Sequence, residues 1–155
     1  MALAITSYQW FLFAHILAAA FWVGGGACLA ALAIAARRQS NRDSELALVR
    51  LGTAIGGPFF GASGLVLFGF GIALVEKGNW GWDQAFVIWG LCAWAFSTFT
   101  GIVFYGLQQR RIDKALARGD DAAVRRALDV YYRVGRVDVL VLVSAVFAMS
   151  AKPWL

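Results

Sequence analysis

Charged residues are scarce in this chain of 155 residues. They make up 15% of the sequence, whereas hydrophobic residues make up 61%. A soluble domain carries about 25% charged and about 45–50% apolar residues, so this composition excludes an ordinary soluble domain. The charges lie almost entirely outside four long apolar runs, a pattern that is typical of an integral membrane protein.

Side chains that bind metals or carry out catalysis are equally few. The chain has one histidine, two cysteines and two methionines. A single histidine excludes a bis-histidine haem site within one monomer, and no intramembrane carboxylate lies near His15 to form a nucleophile–base pair. Phosphate-loop and zinc-binding spacings are missing as well. We therefore predict no catalytic set and no metal site, which favours a protein that is not an enzyme.

The two cysteines, Cys28 and Cys92, lie inside separate apolar runs and at different predicted depths. This placement disfavours a disulfide, and two isolated thiols make no metal motif. We interpret both as small apolar packing residues.

The four apolar runs predict an all-α bundle of four transmembrane helices, because backbone polar groups in lipid must be satisfied within the segment. A single domain over residues 1–155 accommodates them. The first run lacks a basic start and is too long for a signal peptide, so we expect it to be retained. The predicted spans are 10–36, 54–75, 85–107 and 134–151.

Basic residues orient the bundle. Twelve of the 14 lie between the first and second spans or between the third and fourth. Since lysine and arginine favour the cytoplasmic side, both termini are predicted to face outward. The net charge of +5 is then explained by cytoplasmic loops; we expect the lipid bilayer as a partner and no nucleic acid.

The positions of the tryptophans agree with this predicted orientation, because their amphipathic rings favour the membrane interface. Those predicted at the outer surface are Trp10, Trp80, Trp82 and Trp154. The deeper ones, which either pack or line a site, are Trp22, Trp89 and Trp94.

Local patterns predict how the connectors fold. Ser44 is a candidate cap for a helix between the first two spans. Gly119 marks a turn, and Asp120 or Asp121 caps one long fourth helix that projects into the cytoplasm. Near the foot of its span, Asp138 is expected to form an ion pair with Arg133 or another arginine of the cytoplasmic side.

His15 is the one histidine and lies about two turns below the outer start of the first span. Imidazole is a common haem ligand, but a histidine bonded to a carbonyl or hydroxyl of a neighbouring helix fits the residue type as well. Met149 lies at a similar predicted depth and is a candidate second ligand of haem b, with Cys92 as a weaker one. A dimer sharing haem between two His15 residues is a further alternative.

Glycine is concentrated in the second run, which also holds Pro58. The spacing of Gly57 and Gly61 lets helix backbones approach closely, and proline kinks or begins a helix. Tight helix packing is one interpretation, and room for a flat cofactor or a lipid tail is the other. The same two interpretations apply to Gly24, Gly25 and Gly26.

Three features together resemble a group of bacterial inner-membrane four-helix proteins. These are His15 followed by Trp22-Val-Gly-Gly, the glycine-rich second run, and the ending Met149-Ser-Ala-Lys152-Pro153-Trp154. The sequence is most similar to a family of unknown function, and beyond it to CopD-type copper-resistance domains and to HemJ-type protoporphyrinogen oxidases. The HemJ resemblance implies haem b on His15, and the CopD resemblance implies copper import. The HemJ Leu-Pro-Arg segment is replaced here by Gly25-Gly26-Ala27-Cys28.

These observations leave three functional hypotheses open. The first is an accessory or structural subunit that packs against larger membrane partners or forms a homo-oligomer, since glycine faces and aromatic surfaces suit helix association. The second is a HemJ-like redox or porphyrin protein centred on His15. The third is transport of a small solute or copper. The expected location is the bacterial inner membrane.

Overall fold

The structure, a computed structural model, describes residues 6–39 and 41–152, and its regular elements over these residues are helices. This confirms the predicted all-α class. The helices are α1 (Ser7–Arg38), α2 (Arg42–Ile55), α3 (Gly61–Lys77), α4 (Ala85–Phe99), α5 (Tyr105–Ala117) and α6 (Asp121–Ala151). Two π-helical turns, Gly56–Phe60 and Thr100–Phe104, join α2 to α3 and α4 to α5.

Four continuous helical stretches are long and apolar enough to cross a membrane. They are Ser7–Arg38, Pro58–Lys77, Ala85–Ala117 and Asp121–Ala151. Three of the predicted spans fall inside these stretches, and the second, 54–75, starts four residues before its stretch, at the end of α2. The last two stretches extend far beyond the predicted spans, on the side of the bundle that carries most of the arginines. We call this the arginine-rich side.

Helix starts follow from local side chains. The Asp120 side chain accepts a hydrogen bond from the Ala123 amide at 2.9 Å and caps α6, which confirms both the predicted cap and the single long fourth helix. The prediction that Ser44 caps α2 is wrong. Asn41 is the cap, and its side chain accepts a hydrogen bond from the Ser44 amide at 3.1 Å.

The helices pack in a simple pattern. α1 runs along α3, α6 runs along both α4 and α5, and α2 contacts α1 and α5. Buried apolar side chains form two separate clusters. The cluster on the arginine-rich side, which we call the arginine-side core, consists of Ala33, Val49, Ile112, Ala115, Val124, Leu128 and Tyr132. The cluster at the opposite end of the bundle consists of Val75, Phe86, Val87 and Ala148.

Ion pairs connect α1 and α2 to the α5–α6 hairpin on the arginine-rich side. They join Arg37 to Asp129, Arg42 to Asp121 at 2.8 Å, and Arg50 to Asp113 at 3.5 Å. The side chains are about half exposed, so each pair contributes little to stability. The buried arginine-side core, rather than these pairs, holds α1 and α2 against the hairpin.

The outside of the bundle carries both cysteines and several of the tryptophans. Cys28 and Cys92 are free thiols, but both lie exposed on the outside of the helices rather than packed between them. Trp10 and Trp82 are exposed, as expected for interfacial residues. Trp80 is half-buried, with the Lys152 ammonium 3.8 Å from its ring centroid. Trp154 and Pro153 lie outside the described residues.

Candidate functional site

A cavity of about 930 Å³ lies inside the bundle, between its middle and the arginine-rich side. All six helices and both π-helical turns contribute side chains to its wall. At about 1.5 Å per residue, α1 rises about 22 Å between its innermost lining residue, Trp22, and the arginine at the mouth, Arg37. The cavity is therefore elongated and follows the helix axes.

Aromatic side chains close the inner end of the cavity. Trp22 is buried, and its ring lies so close to Gly64 that a Cβ there would be 3.1 Å from it. Trp94 donates its indole N–H to the Gly64 carbonyl at 2.9 Å and stacks on Phe68 with ring centroids 4.3 Å apart. Leu65 and Leu142 complete an apolar end. Of the three tryptophans predicted to lie deeper in the membrane, Trp22 and Trp94 line this cavity. Trp89 does not line it; it lies exposed on the bundle surface and donates its indole N–H to the Ser144 hydroxyl at 3.1 Å.

Polar groups form the middle level of the wall. Ser97, Thr98 and Tyr105 come from the third stretch, and Asp138 comes from α6. Asp138 Oδ1 and the Thr98 hydroxyl are buried, with no hydrogen-bond partner in the described part of the chain. A buried polar group without a partner costs free energy in an apolar medium. This level of the cavity therefore suits an occupant that carries hydrogen-bonding groups.

The predicted ion pair between Asp138 and Arg133 is not formed among the described residues. Arg133 precedes Asp138 by five positions, which places the two side chains about 140° apart around the helix axis. Partners on one helix face each other at spacings of three or four. Asp138 instead shares the inward face of α6 with Gly135 and Leu142.

Arginines surround the mouth of the cavity. Arg37, Arg38, Arg133 and Arg136 all line it, together with Asp129. Asp129 pairs with Arg37, while Arg38, Arg133 and Arg136 form no ion pair within residues 6–39 and 41–152. The mouth therefore carries a surplus of positive charge and exposed guanidinium donors.

The two π-helical turns contact each other and both line the cavity. Pro58 lies in the first turn and has no N–H to donate, which accounts for the interruption between α2 and α3. Such turns occur often at functional sites because the extra residue widens the helix locally. Here they lie in two neighbouring helical stretches at the same depth and border the space that the cavity occupies.

His15 and Met149, the predicted haem ligands, do not line the cavity. His15 lies on α1 with its Nδ1 2.9 Å from the Leu67 carbonyl oxygen and its ring edge against Gly71. The Met149 methyl group packs against Gly90 of α4. Among the described residues, no three His, Cys, Asp or Glu side chains cluster in a way that would hold a metal ion.

Comparison with family models gives one finding, and it agrees with this architecture. A family described as predicted integral membrane proteins, DUF2269, matches residues 9–154. The chain belongs to the DUF2269 family. Comparison with curated proteins gave no match, and comparison with solved structures gave none either. Membership supports a multi-pass membrane protein, and the CopD- and HemJ-type resemblances are not part of it.

Most residues of the cavity wall in this DUF2269 member were not predicted from the sequence. Ser97, Thr98 and Tyr105 were missed because a single hydroxyl residue in an apolar run forms no recognisable motif. The available signal for Ser97 and Thr98 was a depth shared with Asp138, since they follow Trp94 by three and four residues and Asp138 precedes Leu142 by four. The interpretation of glycines as room for a cofactor or a lipid tail pointed at the same region, through Gly26 and Gly61.

Proposed function

We propose that this protein binds an amphiphilic molecule of the membrane in the cavity between its helices. The observation that carries the proposal is the cavity of about 930 Å³, with an apolar aromatic end and a mouth lined by four arginines. Ligand pockets in proteins occupy about 300–1,000 Å³ and combine an apolar wall with a few placed polar groups. An amphiphile matches both halves of this wall.

The buried polar atoms favour the same conclusion. Asp138 Oδ1 and the Thr98 hydroxyl belong to cavity-lining residues and lack partners among the described residues. Hydrocarbon alone would leave these groups without hydrogen bonds, which is costly at membrane depth. A ligand hydroxyl at this level can donate to Asp138 Oδ1, and a ligand hydroxyl or carbonyl oxygen can accept from the Thr98 hydroxyl.

Native mass spectrometry of the purified protein tests the proposal. We expect a lipid-sized molecule to remain on the chain after release from the detergent micelle, and a total phospholipid extract to restore it after delipidation. A spectrum that shows only the bare chain, both before and after the extract is added, would overturn the proposal. The same spectrum reports whether a second polypeptide stays bound, as the hypothesis of an accessory subunit or homo-oligomer requires.

Haem b binding by His15 is the second candidate, and one contact favours it. A hydrogen bond from Nδ1–H to the Leu67 carbonyl leaves the Nε2 lone pair available, which is the usual arrangement of a metal-ligating histidine. The cavity itself does not fit haem ligated by His15 or Met149, because neither side chain lines it. A haem on His15 would have to lie elsewhere, so no step of the proposed function depends on it.

An absorption spectrum of the purified protein decides this second candidate. If haem b binds His15, a Soret band is expected in the wild type and lost in the His15→Ala variant. Met149→Leu would shift the spectrum if Met149 is the second ligand. A colourless wild-type protein with native helical content by circular dichroism contradicts haem binding and leaves the cavity proposal untouched.

Transport of a small solute or copper, the third hypothesis, would need a path through the bundle. The cavity ends at Trp22 and Trp94, near the middle of the membrane-spanning helices. This closed end favours a ligand that is held rather than one that crosses. We therefore place binding, and not transport, first.

A further inference from the structure

We infer that the occupant of the cavity is an anionic glycerophospholipid taken from the leaflet on the arginine-rich side. This inference rests on the proposed function and names the class of ligand. It follows from the order of groups along the wall, from the charge at the mouth, and from an opening toward the bilayer.

The order of groups along the wall matches the order of groups in such a lipid. The apolar end at Trp22 and Trp94 suits acyl chains, and Tyr105, which follows Trp94 by 11 residues or about 16 Å of helix rise, lies at the depth of the ester oxygens. The arginines follow toward the mouth. The cavity extends for about 22 Å along α1, and one leaflet contributes about 15 Å of hydrocarbon. The cavity therefore spans the acyl region of one leaflet and its head-group level.

The charge at the mouth selects an anionic head group. Arg38, Arg133 and Arg136 have no ion-pair partner in the described part of the chain, whereas Arg37 is paired with Asp129. Guanidinium groups bind phosphate oxygens in bidentate geometry. A zwitterionic lipid would also place a trimethylammonium group near these arginines, so the charge discriminates against phosphatidylcholine.

Two lining residues are reachable from the bilayer. Leu65 of α3 and Ile102 of the second π-helical turn line the cavity, yet each is 69% exposed on the bundle surface. Side chains that face both the cavity and the exterior mark a lateral opening between these two elements. A lipid can pass through it without leaving the membrane, which favours a bilayer lipid over a water-soluble phosphate.

Glycines leave bare backbone for the acyl chains to pack against. A Cβ at Gly26, Gly56, Gly61 or Gly101 would meet no atom within 4 Å, and all four residues line the cavity. Gly64, by contrast, is covered by Trp22 within the chain. A helical glycine is about 1 kcal/mol less favourable than alanine. The open space at these four positions is therefore explained by an occupant from outside the chain.

Titrations followed by native mass spectrometry test the inference on the delipidated full-length protein. The probes are dipalmitoyl phosphatidylglycerol, dipalmitoyl phosphatidylcholine, palmitate and glycerol phosphate. We expect phosphatidylglycerol to bind about tenfold or more tightly than phosphatidylcholine, since the two lipids share the phosphate and only phosphatidylcholine carries a quaternary ammonium that the arginines repel. Glycerol phosphate is not expected to compete. The double variant Arg133→Gln, Arg136→Gln should lose this preference while still binding both lipids.

Two controls keep the test decisive. Arg125→Gln, Arg126→Gln removes the same charge from α6 at exposed positions outside the cavity wall, and it should keep the wild-type preference. The double variant Arg133→Lys, Arg136→Lys should restore part of the preference for phosphatidylglycerol. Equal binding of the two phospholipids, or tighter binding of palmitate, overturns the inference and leaves the proposed function standing. If no probe binds, both fall.

Discussion

Replacing Ile112 by alanine is expected to lower the free energy of unfolding by about 2–5 kcal/mol, the range for deleting a buried isoleucine side chain beyond Cβ. Ile112 is 0% exposed and lies in the arginine-side core among Val49, Val124 and Leu128. This core packs α2, α5 and α6 against the end of α1, and all of its residues except Ala33 lie outside the predicted spans. Since the hydrophobic effect operates there in contact with water, the loss should be close to that in a soluble protein.

The measurement is unfolding by sodium dodecyl sulfate in mixed micelles, followed by tryptophan fluorescence. Leu140→Ala is the matched control, because Leu140 is an aliphatic residue of α6 that is 68% exposed on the outside of the bundle. It should change the free energy of unfolding by less than about 0.5 kcal/mol. An Ile112→Ala variant as stable as the control would show that the arginine-side core does not hold the α5–α6 hairpin.

The spans and the start of α6 were predictable from the sequence because both depend on local chemistry. An apolar run in lipid must satisfy its own backbone, and an aspartate before a helical pattern caps it whatever the tertiary fold. The cap of α2 was missed by three residues for a related reason. Asn41 and Ser44 are both good caps, and the sequence does not show which one the chain uses.

The cavity was not predictable, because it depends on which helix faces meet and on two π-helical turns. Each turn rotates the following residues relative to an α-helix, so a pattern with a period of 3.6 does not carry the inward face of α4 over to α5, or that of α2 over to α3. The error at Asp138 has the same origin. Its nearest arginines in sequence, Arg133 and Arg136, are at spacings that do not face it on one helix.

For His15, the depth in the membrane could be predicted from the sequence, but the neighbouring residues could not. The sequence placed it correctly within the first apolar stretch, and the structure supplies the carbonyl partner, Leu67, on α3. The pairing of His15 with Met149 came from equal predicted depth. Depth does not fix direction around a helix axis, so two residues at one level in a bundle can face different neighbours, as these do against Gly71 and Gly90.

Replacing Gly61 by phenylalanine is expected to weaken phospholipid binding by about tenfold or more, because an aromatic ring in the cavity displaces the acyl chains from the space they occupy. Gly61 lines the cavity, and a Cβ there meets no atom within 4 Å. The Cβ therefore enters open space, and a cavity of about 930 Å³ has room for the ring beyond it. The free energy of unfolding of the delipidated protein should stay the same or rise, since the variant removes a helical glycine and fills empty space.

Weaker lipid binding without a lower free energy of unfolding would distinguish a glycine that makes room for a ligand from one that is needed for helix packing. A glycine needed for helix packing would, on substitution, lose stability and binding together; Gly61→Phe should lose binding alone. Gly24→Phe is the control, because Gly24 also has open space around its Cβ position but lies outside the cavity wall. It should leave phosphatidylglycerol binding unchanged in the native mass titration. Loss of stability in Gly61→Phe, or equal loss of binding in both variants, would show that the open space at Gly61 serves helix packing or detergent contact rather than a bound lipid.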